Sequence, residues 1–294
     1  MGEFTTLFLP KNTENASCMA GDDLLSFCLT AKELAEIRAQ SWPNLTVQSF
    51  ETLPSTNQRA WELQQAGIQP PLLVLAQQQS AGQGQWGRVW QSEPGGLYLS
   101  LLLAVDLPVQ QAAIVTLWSA WGIATALNDQ GIPVGLKWPN DLVLAGRKLG
   151  GIKGESHIER ERITQVVIGV GLNWRNPVPA TGIQLQAWLQ ENKRDDVTNL
   201  GALLGFTLQG LARGYRTYQT QGVEAILAGY HHYFLNLGQI VSLEQGQGRV
   251  TGVSAQGELL VEVRSPGAMS RLALPPGAVS LGYAFPPRPA EDRV

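Results

Sequence analysis

The stretch LKWPNDLVLAGRKLGGIKGES, residues 136–156, decides how the chain is read. Strand-like runs fall at GLKW, DLVL and KLGGIKGES, and the last two are joined by the turn Ala145-Gly146-Arg147. Apolar runs separated by so short a turn make an antiparallel hairpin. Side chains alternate along a strand, so Lys137 and Asp141 share a face, and the tight turn brings Lys148 back beside them. Arg147 and Lys153 fit the solvated charges of an ordinary hairpin. Trp138-Pro139-Asn140-Asp141 does not, because proline in a strand is confined to an edge or a bulge.

Outward from the hairpin, a short strand VQSFETL at 47–53 precedes a helix opened by Ser55 and a buried strand LLVLA at 72–76. An apolar run LYLSLLLA at 97–104 and a long helix at 109–129 follow. Downstream come the strand ITQVVIGVGLNW and helices over 197–235, then short alternating segments QIVSLEQ, GRVTGVS, GELLVEV, SRLALP and AVSL between glycine-rich turns. The pattern is α+β: a mixed, mainly antiparallel sheet packed with helices, plus a small C-terminal β-barrel. The implied boundaries are an N-terminal extension at 1–42 with a short helix at Ala31–Gln40, a main domain at 43–236, the barrel at 237–284 and a frayed tail at 285–294.

Of the chain's 294 residues, 44% are hydrophobic and 15% charged, which suits a globular core rather than a disordered chain. The formal net charge of -3 argues against a nucleic-acid partner, since phosphate binding needs a basic surplus. No apolar run reaches the roughly 20 residues that span a bilayer, so no membrane partner is expected. Cys18 and Cys28 form no CxxC and have no neighbouring His pair, which points to neither zinc nor a disulfide framework and to a reducing, cytoplasmic setting.

Three further segments carry chemistry. The loop QQSAGQGQWGRVW at 78–90 places Gly82, Gly84 and Gly87 where backbone amides can approach an anion, with Trp86 and Trp90 able to stack on a heterocycle. STNQ at 55–58 reads as a capping box, Ser55 at the helix N-cap and Gln58 reaching back, and leaves Ser55, Thr56 and Asn57 as polar groups at a helix N-terminus. IGVGLNW at 168–174 reads as a buried strand running into Asn173.

Together these segments resemble the biotin protein ligase family over residues 47–283. The shared motifs are STN at 55, the glycine loop ending in Trp90, KWPND at 137, RKLGGI at 147, IGVGLN at 168 and GVSAQGELLVE at 252, in that order. The resemblance is to a short form lacking the N-terminal DNA-binding domain. It implies a catalytic domain like that of class II aminoacyl-tRNA synthetases, with a Src-homology-3-like barrel. The implied activity is ATP-dependent activation of biotin to biotinyl-5′-AMP and its transfer to a lysine of the biotin carboxyl carrier protein of acetyl-CoA carboxylase. Lys148, Arg88, Lys137 and Asp141 are then catalytic, with Asp141 assisting deprotonation of the acceptor amine. Ser55, Thr56, Asn57, Gln79, Gln83, Gly84, Gln85, Lys148 and Gly151 bind biotin. Arg88, Trp90, Lys137, Asn140 and Asn173 bind ATP or the adenylate, Trp90 and Asn173 flanking adenine. Mg2+ enters mainly on the ATP phosphates, with no protein ligand assigned. A monomer or homodimer without DNA is implied. Gln83 and Gln85 depart from the pattern, standing where family members usually carry arginine. The rivals are a lipoate or octanoate ligase and a non-catalytic biotin-binding or regulatory protein.

Overall fold

The computed structural model describes residues 31–244, 246–265 and 268–286. Cys18, Cys28, most of the expected extension and the end of the expected tail lie outside the described residues. Strands β1 (Thr46–Leu53), β2 (Leu72–Gln79), β3 (Leu97–Pro108), β4 (Gly135–Lys137), β5 (Asp141–Leu144), β6 (Arg147–Glu159) and β7 (Arg162–Leu172) form one seven-stranded sheet in the order β1-β2-β3-β7-β6-β5-β4. β1 and β2 are parallel, joined through helix α2 (Thr56–Gln65), and every other neighbouring pair is antiparallel. The sheet is therefore mixed and mainly antiparallel, as the residue pattern implied.

Alternation along the strands sorts side chains onto two faces. Leu73, Leu75, Leu99, Leu101, Ile168 and Val170 join a large core with helices α1 (Ala31–Gln40), α3 (Ile114–Asp129), α4 (Leu185–Glu191) and α5 (Leu200–Tyr233). Val74, Ala76, Leu102 and Val167 face the other way and meet Ala60 and Leu63 of α2. Helix α1 belongs to the large core: Leu34, Ile37 and Trp42 are buried, and the Trp42 indole donates to the Leu208 carbonyl at 3.1 Å. The expected boundary after residue 42 thus divides residues that pack together. Helix α4 had no counterpart in the sequence reading.

Helices α3 and α5 cross with their backbones in contact. A Cβ placed on Gly210 would lie 2.6 Å from the Gly122 carbonyl oxygen, and one on Gly122 or Gly214 would overlap the backbone of the facing helix. Glycine at these positions is what lets two long apolar helices approach closely and cover the sheet. Among the described residues no helix is long and apolar enough to cross a membrane.

The C-terminal part is an antiparallel meander of β8 (Ile240–Leu243), β9 (Gly246–Val253), β10 (Leu259–Ser265) and β11 (Ala268–Leu274), consistent with a Src-homology-3-like unit. The fifth expected segment, AVSL at 278–281, forms no strand. Pro275 and Pro276 have no amide to donate to a ladder and Gly277 turns at φ 96, so the chain leaves the sheet there. Val241, Val250, Leu259 and Leu281 are continuous with the large core, and Trp138 donates to the Gly257 carbonyl at 2.8 Å, so no break in packing occurs at 237.

Two glycines of α5 separate contact from intrinsic propensity. Gly210→Ala is expected to lower stability by about 1–3 kcal/mol through overpacking. Gly205→Ala, where an added Cβ meets nothing within 4 Å, is expected to raise it by up to about 1 kcal/mol. Urea midpoints of the two variants check both signs.

Candidate active site

The site begins with three missing side chains. In β7 the alternation that turns Ile168, Val170 and Leu172 into the large core places Gly169 and Gly171 on the opposite face. Across the ladder Gly151 is paired with Gly171 and Lys153 with Gly169, while Ser100 of β3 is also opposite Gly169. The result is a bare patch of sheet, a floor onto which other groups settle. The Trp90 indole lies on it, where a Cβ on Gly171 would overlap the ring and one on Gly151 would lie 3.7 Å away. A Cβ on Gly169 would overlap the Asn57 amide.

One end of the floor is polar and mostly neutral. Ser55 caps α2 in extended conformation (φ -157) and its hydroxyl accepts from the Gln58 amide at 3.5 Å. The reciprocal half of the expected box is absent: Gln58 donates to Glu62 at 2.9 Å, one helical turn onward, instead of reaching back. The Thr56 amide donates to Gln79 Oε1 at 2.8 Å, and Gln79 Nε2 donates to Ser92 at 2.8 Å. Asn57 accepts from Ser100 at 2.5 Å and donates to Glu155 at 3.0 Å. The Trp61 indole donates to the other Glu155 oxygen at 2.9 Å, and Lys153 pairs with Glu155 at 3.1 Å. Burial pushes the Glu155 carboxyl up, but donors Asn57, Lys153 and Trp61 and the Lys153 charge outweigh it and hold the group below its ordinary value. Lys153, read from sequence as a solvated hairpin charge, instead lines the site and donates to Gln83 Oε1 of the glycine loop at 2.8 Å.

The other end is charged. Ala145 and Gly146 both have positive φ, 48 and 73, and link β5 to β6 as a two-residue turn matching the twist of the strands. A bulge at Leu149 follows, with Val143 opposite Lys148 but Leu142 opposite Gly150. The Lys148 backbone is pinned from outside the hairpin, its amide to Thr181 O at 2.8 Å and its carbonyl to the Ile183 amide at 3.0 Å. Its ammonium comes within 2.5 Å of Asp141 Oδ1 and 5.2 Å of the Trp90 ring centre. Lys137 approaches Asp141 Oδ2 at 3.2 Å, so the predicted juxtaposition of Lys137, Asp141 and Lys148 is present. Pro139 lies in the turn between β4 and β5 at the edge of the sheet, outside any strand, and no bulge forms around it. Asn140 ties that turn to β6 by donating to the Ile152 carbonyl at 2.8 Å.

Asp141 is buried, which by itself pushes its carboxyl up. The Lys148 and Lys137 charges, with hydrogen bonds from Lys148 and Tyr283, reverse that and hold it below the ordinary value. A carboxylate so engaged and so acidic is a weak base. One of its oxygens is held by Lys148 and the other by Lys137 and Tyr283, so Asp141 anchors two lysines.

Fourteen of the fifteen expected site residues line one cleft: Ser55, Thr56, Asn57, Gln79, Gln83, Gly84, Gln85, Arg88, Trp90, Lys137, Asn140, Asp141, Lys148 and Gly151. Asn173 does not. It is buried, and its amide donates to the Lys148 carbonyl at 3.2 Å and accepts from Asn176 at 3.1 Å, so it supports the Lys148 backbone. Sequence reasoning missed Gly277, Val279, Ser280 and Leu281, which also line the cleft, and Tyr283, which reaches Asp141. Their available signal was Pro275-Pro276-Gly277, which ends a strand and releases the segment to pack elsewhere. Among the described residues no group of three or more His, Cys, Asp or Glu side chains is placed to hold a metal ion.

Depressed carboxyl values make a pH signature. Asp141 and Glu155 fold below their ordinary values of 3.8 and 4.5, so they contribute stability above those values that is lost as pH falls through the folded ones. Asp141→Asn is expected to be less stable near neutrality, where Lys137 and Lys148 lose their counter-charge, yet to show a flatter acid arm. Urea midpoints from about pH 7 down to about pH 3 measure the arm.

The site can be set beside known proteins. Residues 49–173 match the model of the Biotin/lipoate A/B protein ligase family. The chain is 30% identical over 221 residues to the Bifunctional ligase/repressor BirA of Bacillus subtilis (strain 168), a match covering 72% of this chain and 68% of that one. It is 26% identical to the Biotin--protein ligase of Schizosaccharomyces pombe (strain 972 / ATCC 24843), covering 68% of this chain and 35% of the relative. In fold it is similar to the biotin protein ligase from Aquifex aeolicus solved in complex with biotin and ATP, with a TM-score of 0.61 at 22% identity over 77% of this chain and 95% of that one. On these likenesses the chain belongs to the biotin/lipoate A/B protein ligase family and is homologous to its biotin protein ligases.

Proposed function

We propose that the chain is a biotin protein ligase that joins biotin to ATP as biotinyl-5′-AMP and passes the biotinyl group to a lysine of a biotin carboxyl carrier domain. The observation that carries this reading is the placement of Lys148. Its ammonium stands at the charged end of a glycine floor whose other end is a neutral set of hydroxyl and amide groups, Ser55, Thr56 and Gln79. A ligand with a neutral polar ring and a carboxylate tail fits that polarity, with the ring at Thr56 and Gln79 and the carboxylate at Lys148. Relatives whose names include biotin protein ligase and a similar fold solved with biotin and ATP support the same substrates.

Two anions must meet for the first bond to form, and Lys148 offsets their repulsion. A carboxylate oxygen of biotin attacks the α-phosphorus, the bond to the bridging oxygen breaks, and pyrophosphate leaves. Lys148 then balances charge building on the α-phosphoryl group, which is worth most when the site is closed to water. Lys137 and the exposed Arg88 line the same cleft and are the cations available to the phosphates. Magnesium would arrive on the triphosphate, since Asp141, the one carboxylate lining the cleft among the described residues, is already committed to two lysines. In the second half the acceptor amine attacks the biotinyl carbonyl, AMP leaves, and the amine proton goes to water or to the departing phosphate rather than to Asp141.

Biotin-dependent ATP–pyrophosphate exchange tests the first half. Wild type is expected to exchange, and Lys148→Ala to lose roughly a hundredfold to a thousandfold, the scale of one preorganised charge at a developing anion. Exchange with lipoate or octanoate but not biotin would move the chain to the other branch of its family. The glycine loop adds a second outcome. Gln83 and Gln85 carry no charge, and Gln83 is hydrogen-bonded by Lys153 from β6. Wild type is therefore expected to release labelled adenylate faster than Gln85→Arg in a single-turnover chase; equal or slower release contradicts it.

A further inference from the structure

Tyr283 arrives at the charge cluster from a part of the chain that the catalytic motifs do not include. After β11 the chain lines the cleft with Gly277, Val279, Ser280 and Leu281, and Gly277 packs against Trp86 of the glycine loop. Two residues beyond Leu281 the Tyr283 hydroxyl donates to Asp141 Oδ2 at 2.7 Å, and the Lys137 ammonium stands 4.8 Å from the centre of its ring. Asp141 Oδ1 is held by Lys148 at 2.5 Å, so the three partners divide the carboxylate between its two oxygens.

This division has a chemical consequence. A lone carboxylate between two ammonium groups grips both, and a lysine so gripped has less charge to offer an incoming anion. A neutral phenol on Oδ2 draws off part of that negative charge without adding a cation, and it fixes the plane of the carboxylate so that Oδ1 faces Lys148. We propose that Tyr283 is a positioning residue for the ligase reaction: through Asp141 it sets the orientation and availability of Lys148. The segment after β11 thus completes the active site of its own chain, and the proposal's kinetic consequences rest on the biotin ligase reading given above.

The groups facing Asp141 are Lys137 from β4, Lys148 from β6, the buried Tyr230 from α5, whose phenol is raised by burial and by the Asp141 charge, and Tyr283 itself. Burial and the same charge raise the Tyr283 phenol, keeping it a protonated donor, while Arg88 acts on it weakly in the opposite sense. Tyr283→Phe removes this donor but keeps the ring beneath Lys137.

The test has one arm independent of substrate. In 13C NMR of the apoprotein, the Asp141 carboxylate is expected to titrate at higher pH in Tyr283→Phe than in wild type. In pyrophosphate exchange, kcat is expected to fall roughly tenfold, the effect of losing one hydrogen bond to a charged group, with KM for biotin unchanged. The loss should vanish when Tyr283→Phe is placed on Asp141→Asn, because the residue acts through that carboxylate. An unmoved Asp141 titration, or losses that multiply in the double variant, overturns the proposal. If wild type exchanges with neither biotin nor lipoate, the ligase reading fails while the titration still decides whether Tyr283 positions Asp141.

Discussion

Asp141 sits between the ammonium groups of Lys137 and Lys148, and the rest of the site is arranged around that contact. An ion pair buried this far costs desolvation that only close geometry and added hydrogen bonds can repay. Four elements supply them: β4 brings Lys137, β5 brings Asp141, the bulged start of β6 brings Lys148, and the C-terminal segment brings Tyr283. Remove any one and a charge is left under-compensated in a poorly hydrated place. Two lysines beside one carboxylate give this end of the cleft a basic surplus, which suits the proposed meeting of a carboxylate and a phosphate.

The opposite requirement, for empty space, is met by glycine. Gly151, Gly169 and Gly171 share one face because a G-x-G on a strand has period two and because the β6–β7 register places Gly151 beside Gly171. Trp90 and Asn57 occupy the space those missing side chains leave. The same device recurs on the far side of the sheet, where Gly122, Gly210 and Gly214 let α3 and α5 press their backbones together. In one place glycine makes room for an aromatic that lines the cleft, in the other for a helix.

A second network runs behind the neutral end. Glu155 gathers Asn57 and Trp61 of α2 and Lys153 of its own strand, and Lys153 reaches the loop at Gln83. The helix that presents Thr56 and the glycine loop that lines the cleft are therefore joined through one strand. This gives the loop a cation from outside its own sequence, in a chain whose loop lacks arginines at 83 and 85.

Much of the fold and most of the cleft were legible in the residues, because local rules carry them. Alternation was expected to put Lys137 beside Asp141, and the short turn Trp138-Pro139-Asn140 does so by pairing them across β4 and β5; the Ala145-Gly146 turn returned Lys148, and Ser55 announced the helix that presents Thr56 and Asn57. What the sequence could not show were relations between segments far apart in it. Asn173 looked like a ligand residue, but the long-range register of β7 against the turn at Lys148 spent its amide on backbone. Lys153 looked solvated, but Glu155 and Gln83 drew it into the cleft. AVSL looked like a barrel strand, but the two preceding prolines could not continue a ladder, and the released segment lines the site with Leu281 buried. The sequence by itself determined which strands form, which faces they show and which charges share a hairpin, since those follow from near neighbours. Only the tertiary structure decided that Tyr283 completes the Asp141 cluster, because a hydrogen bond across 142 positions depends on where two packed units meet.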